Sequence, residues 1–195
     1  EKSAQAETGF IPYYYYEGLL LMPSNERIEQ EISDYINSNL ENCIEDINHE
    51  GYSLLPGFAN TKTTINNKEV DFVVDNPIKL QRDKYFITLE DKNNIIINSE
   101  LNGILEVANY ITETHKEDSE MYCINCVAEL AEKNDLYVDI VGFNENDMLV
   151  IISENHTASE PYSFEFLNKY TGNERSPETV EIIANEEPKD VEDEI

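Results

Sequence analysis

Residues 25–89 read NERIEQEISDYINSNLENCIEDINHEGYSLLPGFANTKTTINNKEVDFVVDNPIKLQRDKYFITL, and a change of periodicity inside this stretch decides the fold. Apolar residues stand at Ile28, Ile32, Tyr35, Ile36, Leu40, Cys43, Ile44 and Ile47. A return every three or four residues lays one apolar stripe along a helix, over about residues 25–48. Ser24 stands where an N-cap is needed, and Glu26 lies at the positive end of the helix dipole. Cys43 falls on the stripe and is expected in the core. Gly51 closes the helix and the period drops to two. Segments 52–55, 61–65, 70–74, 78–80 and 85–89 read as short strands, divided by Asn66-Asn67, Asn76-Pro77 and Arg82-Asp83. The expected fold is α+β, an antiparallel meander with the 25–48 helix packed across it.

Outward from this stretch the pattern continues. Residues 1–9 are small and polar, and residues 1–10 read as a linker. Residues 11–18, IPYYYYEG, are extended, since Pro12 biases its neighbour away from helix. Near Asn98 the period returns to 3.6, and Leu101, Ile104, Leu105, Ala108 and Ile111 define a second helix ending near His115. Ser119 is placed to cap a third, running through Met121, Cys123, Val127, Leu130 and Ala131. Strands 136–141 and 148–152 form a hairpin across Asn144-Glu145-Asn146-Asp147, and 162–167 supplies a last strand. A single domain is expected over residues 11–171. Residues 172–195 are acidic and Pro-punctuated, and read as a disordered tail or linker.

Composition excludes some partners. The chain carries 13 Lys and Arg against 41 Asp and Glu, a net charge of -28. Phosphate neutralisation needs clustered cations, so nucleic acid is not an expected partner. An anionic membrane surface repels such a chain. No stretch approaches the roughly 20 apolar residues that span a bilayer. The start at Glu1, without Met, fits a processed or excised fragment.

Chemistry-bearing motifs are few. Cys123-Ile124-Asn125-Cys126 is the one pattern with a named mechanism, because a thiol at a helix N-terminus has a lowered pKa and a partner three residues on can bridge to it. Redox CxxC pairs usually follow a strand, whereas this one follows a helix and the charged run Lys116-Glu117-Asp118-Ser119. Both sulfurs are expected near the apolar stripe, which leaves packed thiols, a structural disulfide, an exchange-active pair and metal as the readings. A zinc site needs four ligands, and His49, His115 and His156 stand singly, as solvated helix-end or loop residues. No GxSxG elbow, GxGxxG or GxxxxGKS is present, so no catalytic residue and no cofactor is assigned. Asp91-Lys92-Asn93 and Asn144-Glu145-Asn146-Asp147 are the best oxygen clusters for calcium, but both lack the glycine and terminal Glu of an EF-hand loop. Tyr13 to Tyr16 reads as an edge strand with one wet face, or as a surface for sugars or a partner strand. Asn155-His156-Thr157 fits a glycosylation sequon.

IPYYYYEG, the helix carrying Leu40-Glu41-Asn42-Cys43-Ile44, and the late strand Pro161-Tyr162-Ser163-Phe164-Glu165-Phe166 together carry a resemblance. Over about residues 10–170 the chain resembles an uncharacterised family of archaeal membrane-anchored proteins. In that family an N-terminal apolar helix precedes a soluble α+β ectodomain. The resemblance implies an extracytoplasmic, cell-surface setting, tethered by an anchor that this chain lacks. An exterior setting in turn favours pairing Cys123 with Cys126 and leaves Cys43 buried and reduced. The expected function is a non-catalytic extracytoplasmic domain for assembly or partner binding. The alternative is a thiol–disulfide redox protein using Cys123 and Cys126, with an enzyme of unrecognised site as a third class.

Overall fold

The computed structural model describes residues 2–6, 9–45, 51, 53–90, 92–117, 123–144, 146–154, 162–169 and 180–182. In chain order the elements are β1 (Ser3–Ala6), β2 (Gly9–Tyr16), β3 (Leu19–Leu20), α1 (Asn25–Glu45), β4 (Ser53–Pro56), β5 (Asn60–Ile65), β6 (Glu69–Asp75) and β7 (Ile78–Arg82). There follow β8 (Tyr85–Leu89), β9 (Lys92–Asn98), α2 (Leu101–Glu117), α3 (Ile124–Lys133), β10 (Leu136–Asn144), β11 (Asp147–Glu154), β12 (Ser163–Lys169) and β13 (Val180–Ile182). The α+β class expected from periodicity is present. The expected single domain 11–171 instead divides into two compact units, Glu1–Met22 with Gly103–Ile195, and Pro23–Asn102.

The first unit is built on a sheet of order β1-β2-β12-β11-β10-β13, with β3 on β2. β10, β11 and β12 pair antiparallel, but β2 joins β12 in parallel. This departs from an all-antiparallel arrangement. More than a hundred residues separate the two strands, so no tight turn dictates their sense. Ile104, Val107, Ala108 and Ile111 recur at helical spacing on α2, and with Val127 and Ala131 of α3 they meet Val138, Ile140, Val150, Ile152 and Phe166 in one core. Gly103 permits a close approach here, since a Cβ on it would lie 3.0 Å from the Asn134 side chain. The opposite sheet face holds a smaller cluster of Ile11, Tyr13 and Leu167. Glu17 and Gly18, at φ 48° and 90°, make the two-residue turn from β2 to β3, as positive φ at both positions requires.

Two expected unstructured segments contribute to this sheet. Ser3–Ala6, within the expected linker, pairs with β2, and Val180–Ile182, within the expected tail, pairs with β10. The remainder of 172–195 lies outside the described residues.

The second unit opens with α1. The Arg27 N–H donates to Ser24 Oγ at 3.3 Å, so the expected cap is in place. The strands after α1 do not form one meander. They interleave as two antiparallel three-stranded sheets, β4-β7-β8 and β5-β6-β9. β9 was not expected: its Asn93-Asn94-Ile95-Ile96-Ile97-Asn98 lacks alternation, yet it pairs with β6 along its whole length.

Candidate functional site

Cys123 and Cys126 are joined in a disulfide with Cα atoms 5.2 Å apart. Cys123 is exposed, which corrects the expectation that both sulfurs lie with the core stripe. It is the residue before the first turn of α3, and its carbonyl accepts the Val127 N–H at 3.0 Å. The buried stripe of α3 begins only at Val127 and continues to Ala131, leaving Cys126 half-buried beside it. Cys43 is a free cysteine and exposed, not buried. The inner side of α1 runs through Ile36, Leu40 and Ile44 in steps of four, and this line turns away from Cys43.

His115 is also corrected: it is buried, not solvated. It continues the inner stripe of α2 four residues beyond Ile111, and its ring stands edge-on to Tyr15 at 4.9 Å. The tyrosine run lies in an interior strand between β1 and β12, not at an edge. Tyr13 donates from its hydroxyl to Asp147 Oδ2 at 3.1 Å, and Asn144 Nδ2 donates to the same oxygen at 3.0 Å. Burial, then the Asp147 charge and hydrogen bond, push the Tyr13 pKa up to about 12. The Tyr16 ring lies under Lys2 at 3.4 Å and near Lys169 at 4.9 Å. The tyrosine rings are thus engaged within the unit, and Asp147 closes its own hairpin. Asn155, His49, His156, Asp91, Glu145 and Ser119 lie outside the described residues. Among the described residues no cluster of three or more His, Cys, Asp or Glu could hold a metal ion.

A different feature stands out in the second unit. Along the outer edge of β5, alternate N–H groups point at a polar row on α1. Ile65 donates to Glu29 Oε1 at 2.8 Å, Thr63 to Ser33 Oγ at 3.0 Å and Thr61 to Asn37 Oδ1 at 2.8 Å. Four helical residues rise about 6 Å and two strand residues about 6.6 Å, so i, i+4, i+8 on the helix keeps step with every second strand residue. The stripe expected to cover a sheet face therefore shares its helix with a polar row that seals a sheet edge.

The other edge of this sheet is β9. Among the described residues no strand or helix side chain pairs with its outer side. Ile95, Ile96 and Ile97 are all exposed, Ile96 by 55 %. Between α1 and the β6–β9 side of the sheet lies an apolar cleft of about 410 Å³. Ile36, Leu40 and Ile44 form one wall, and Phe72, Val74, Ile95 and Ile97 the other. Asn76 also lines it, with a buried Oδ1 that has no hydrogen-bond partner among the described residues. In the companion sheet, Tyr85, Phe86, Ile87 and Leu89 of β8 are exposed, and Lys79 Nζ lies 4.1 Å from the Phe86 ring centroid. The sequence signal for this surface was a neutral, β-branched window without proline, Asn93 to Asn98.

No protein-family model matches the chain, and neither curated proteins nor solved structures yield a significant match. Among the described residues no helix is long and apolar enough to cross a membrane.

Proposed function

We propose that the chain is a non-catalytic, extracytoplasmic interaction domain that binds protein partners through its second unit. The observation that carries this reading is the distribution of exposed apolar side chains. In the first unit the large apolar residues of β10 to β12 are almost all buried or half-buried, whereas in the second β8 and β9 present theirs to solvent. Exposed apolar surface beside an open strand edge is the property of docking sites, because main-chain pairing supplies affinity and pockets supply specificity. The 53–98 segment also balances six cations with six acids, so a partner meets little repulsion there despite a net charge of -28. The exterior setting is supported by the Cys123–Cys126 bridge, since disulfides persist in oxidising compartments. Tethering by an upstream apolar helix follows from the resemblance carried by IPYYYYEG and PYSFEF.

Photo-crosslinking from positions 86 and 96 in intact cells tests this. Both positions should give protein adducts that external protease digests, while position 129 on exposed α3 should not. No adduct above that control, or adducts protected from external protease, would overturn the reading.

A second reading has one observation in its favour: Cys123 is exposed at a helix N-terminus, where exchange-active thiols sit. The acidic run around Glu117, Asp118 and Glu120 opposes a thiolate. Alkylation of the reduced protein near neutral pH should accordingly be slow, and fast labelling of Cys123 would promote this reading.

A further inference from the structure

We infer that the partner at β9 is β9 of a second copy, paired antiparallel about a two-fold axis through Ile96. This rests on the interaction reading above and names one of its partners. The register follows from the sequence. With Ile96 opposite its own mate, Ile95 meets Ile97, Asn94 meets Asn98, and Lys92 meets Glu100 just past the strand end. Like meets like from Asn94 to Asn98 and Asn93 meets Ser99; the flanking charges, Lys92 at 3.4 Å from Asp75 and Glu100 held by Lys68 at 2.8 Å, are of opposite sign. No charged residue lies between Asn93 and Ser99, so the strand is a neutral gap in a chain of net charge -28. An isologous contact must be self-complementary in this way.

The faces agree as well. Ile95 and Ile97 lie on the cleft side, opposite Phe72 and Val70, while Ile96 lies opposite Asp71 on the other face. A second β9 sets its own Ile95 and Ile97 beside the first pair on the cleft side. The sheet becomes six-stranded, β5-β6-β9 continued by its mate, and its two outermost strands are both β5. Each β5 edge is already sealed by Glu29, Ser33 and Asn37 of α1. The pairing therefore stops at two copies, and no open edge of this sheet is left to recruit a third.

Sedimentation velocity on the full chain should show a species near twice 22.5 kDa. Its fraction should rise with NaCl, because screening weakens the repulsion between two acidic copies. Ile96→Lys should leave only the single-chain mass. Register is read by oxidation in a Cys43→Ser background. Opposed residues have Cα atoms about 4.5–5.5 Å apart, within disulfide reach, so Ile96→Cys should give a covalent dimer. Asn94→Cys should not, since its mate lies four residues away, about 13 Å along the strand. The Asn94→Cys/Asn98→Cys double variant should crosslink again.

A chain that sediments as a monomer at every protein and salt concentration would overturn the inference. Equal crosslinking by Ile96→Cys and Asn94→Cys would do the same. If adducts from position 96 are then with other proteins, only the self-pairing fails and the interaction reading stands.

Discussion

β5 and β9 are the two outer strands of one sheet, and the chain finishes them in opposite ways. β5 gives its N–H groups to Glu29, Ser33 and Asn37 of α1, and its Thr61 and Thr63 are buried. Among the described residues β9 keeps an open edge, and it shows three successive isoleucines to solvent. Covering an edge with a helix is a standard way to prevent unwanted strand pairing. A protein that seals one edge of a sheet and leaves its apolar opposite bare presents a directed surface. The first unit supports the contrast. Its outer strands, β1 and β13, are only 4 and 3 residues long, and the long strands β10, β11 and β12 lie inside.

The comparison can be broken most strongly in the cores. Phe166, fully buried in β12, and Phe86, exposed in β8, offer the same side chain in opposite settings. Phe166→Ala should cost about 3–5 kcal/mol by lost transfer energy and cavity formation. Phe86→Ala should stay within about 0.5 kcal/mol, as surface changes do. Urea unfolding of the two variants measures both, and a comparable loss from Phe86→Ala would mean that β8 is packed in solution.

The edges themselves come next in size. Ser33→Ala removes the acceptor of the buried Thr63 N–H, which should cost about 1–3 kcal/mol, less a few tenths returned by alanine's helix propensity. Hydrogen exchange at the Thr63 amide should speed up. Asn94→Ala on exposed β9 should leave monomer stability unchanged within about 0.5 kcal/mol. Equal effects at the two positions would erase the distinction between a sealed and an open edge.

An effect confined to alkaline pH lies in the first unit, whose interior strand β2 holds Tyr13 buried. The Tyr13 pKa is raised to about 12, so the folded state holds its proton more tightly than the unfolded chain does. That contribution is complete below the unfolded value of about 10 and is lost as pH rises through about 12. Stability should therefore fall across that alkaline window, and Tyr13→Phe should flatten the fall. An unchanged slope in the variant would show that burial and Asp147 together do not hold the Tyr13 proton in the folded state.

Much of the local structure was legible. Helical spacing from Ile28 to Ile44 marked α1, and Ser24 marked its start, because both signals depend on neighbours within a turn. Alternation marked β5 and β6, whose buried residues Thr61, Thr63, Val70 and Val74 are two or four apart. The cysteine pair was visible as a spacing, and its bridge is present. His115 was legible in principle, since it extends the α2 stripe by one more step of four.

The sequence by itself determined the type of the periodic elements, α1, β5 and β6 among them, and the neutrality of Asn93 to Asn98, because these follow from side chains and short-range backbone preference. Only the tertiary structure decided which strands are neighbours. Periodicity reports which face of a strand is buried, but not which strand lies beside it, so the interleaving of β4-β7-β8 with β5-β6-β9 left no local trace. The run Ile95-Ile96-Ile97 shows why: both faces are apolar, no period of two appears, and pairing with β6 alone makes it a strand. Glu29, Ser33 and Asn37 stand off the apolar stripe of α1, four residues apart. They became an edge seal because the fold laid three strand N–H groups at matching intervals beside them.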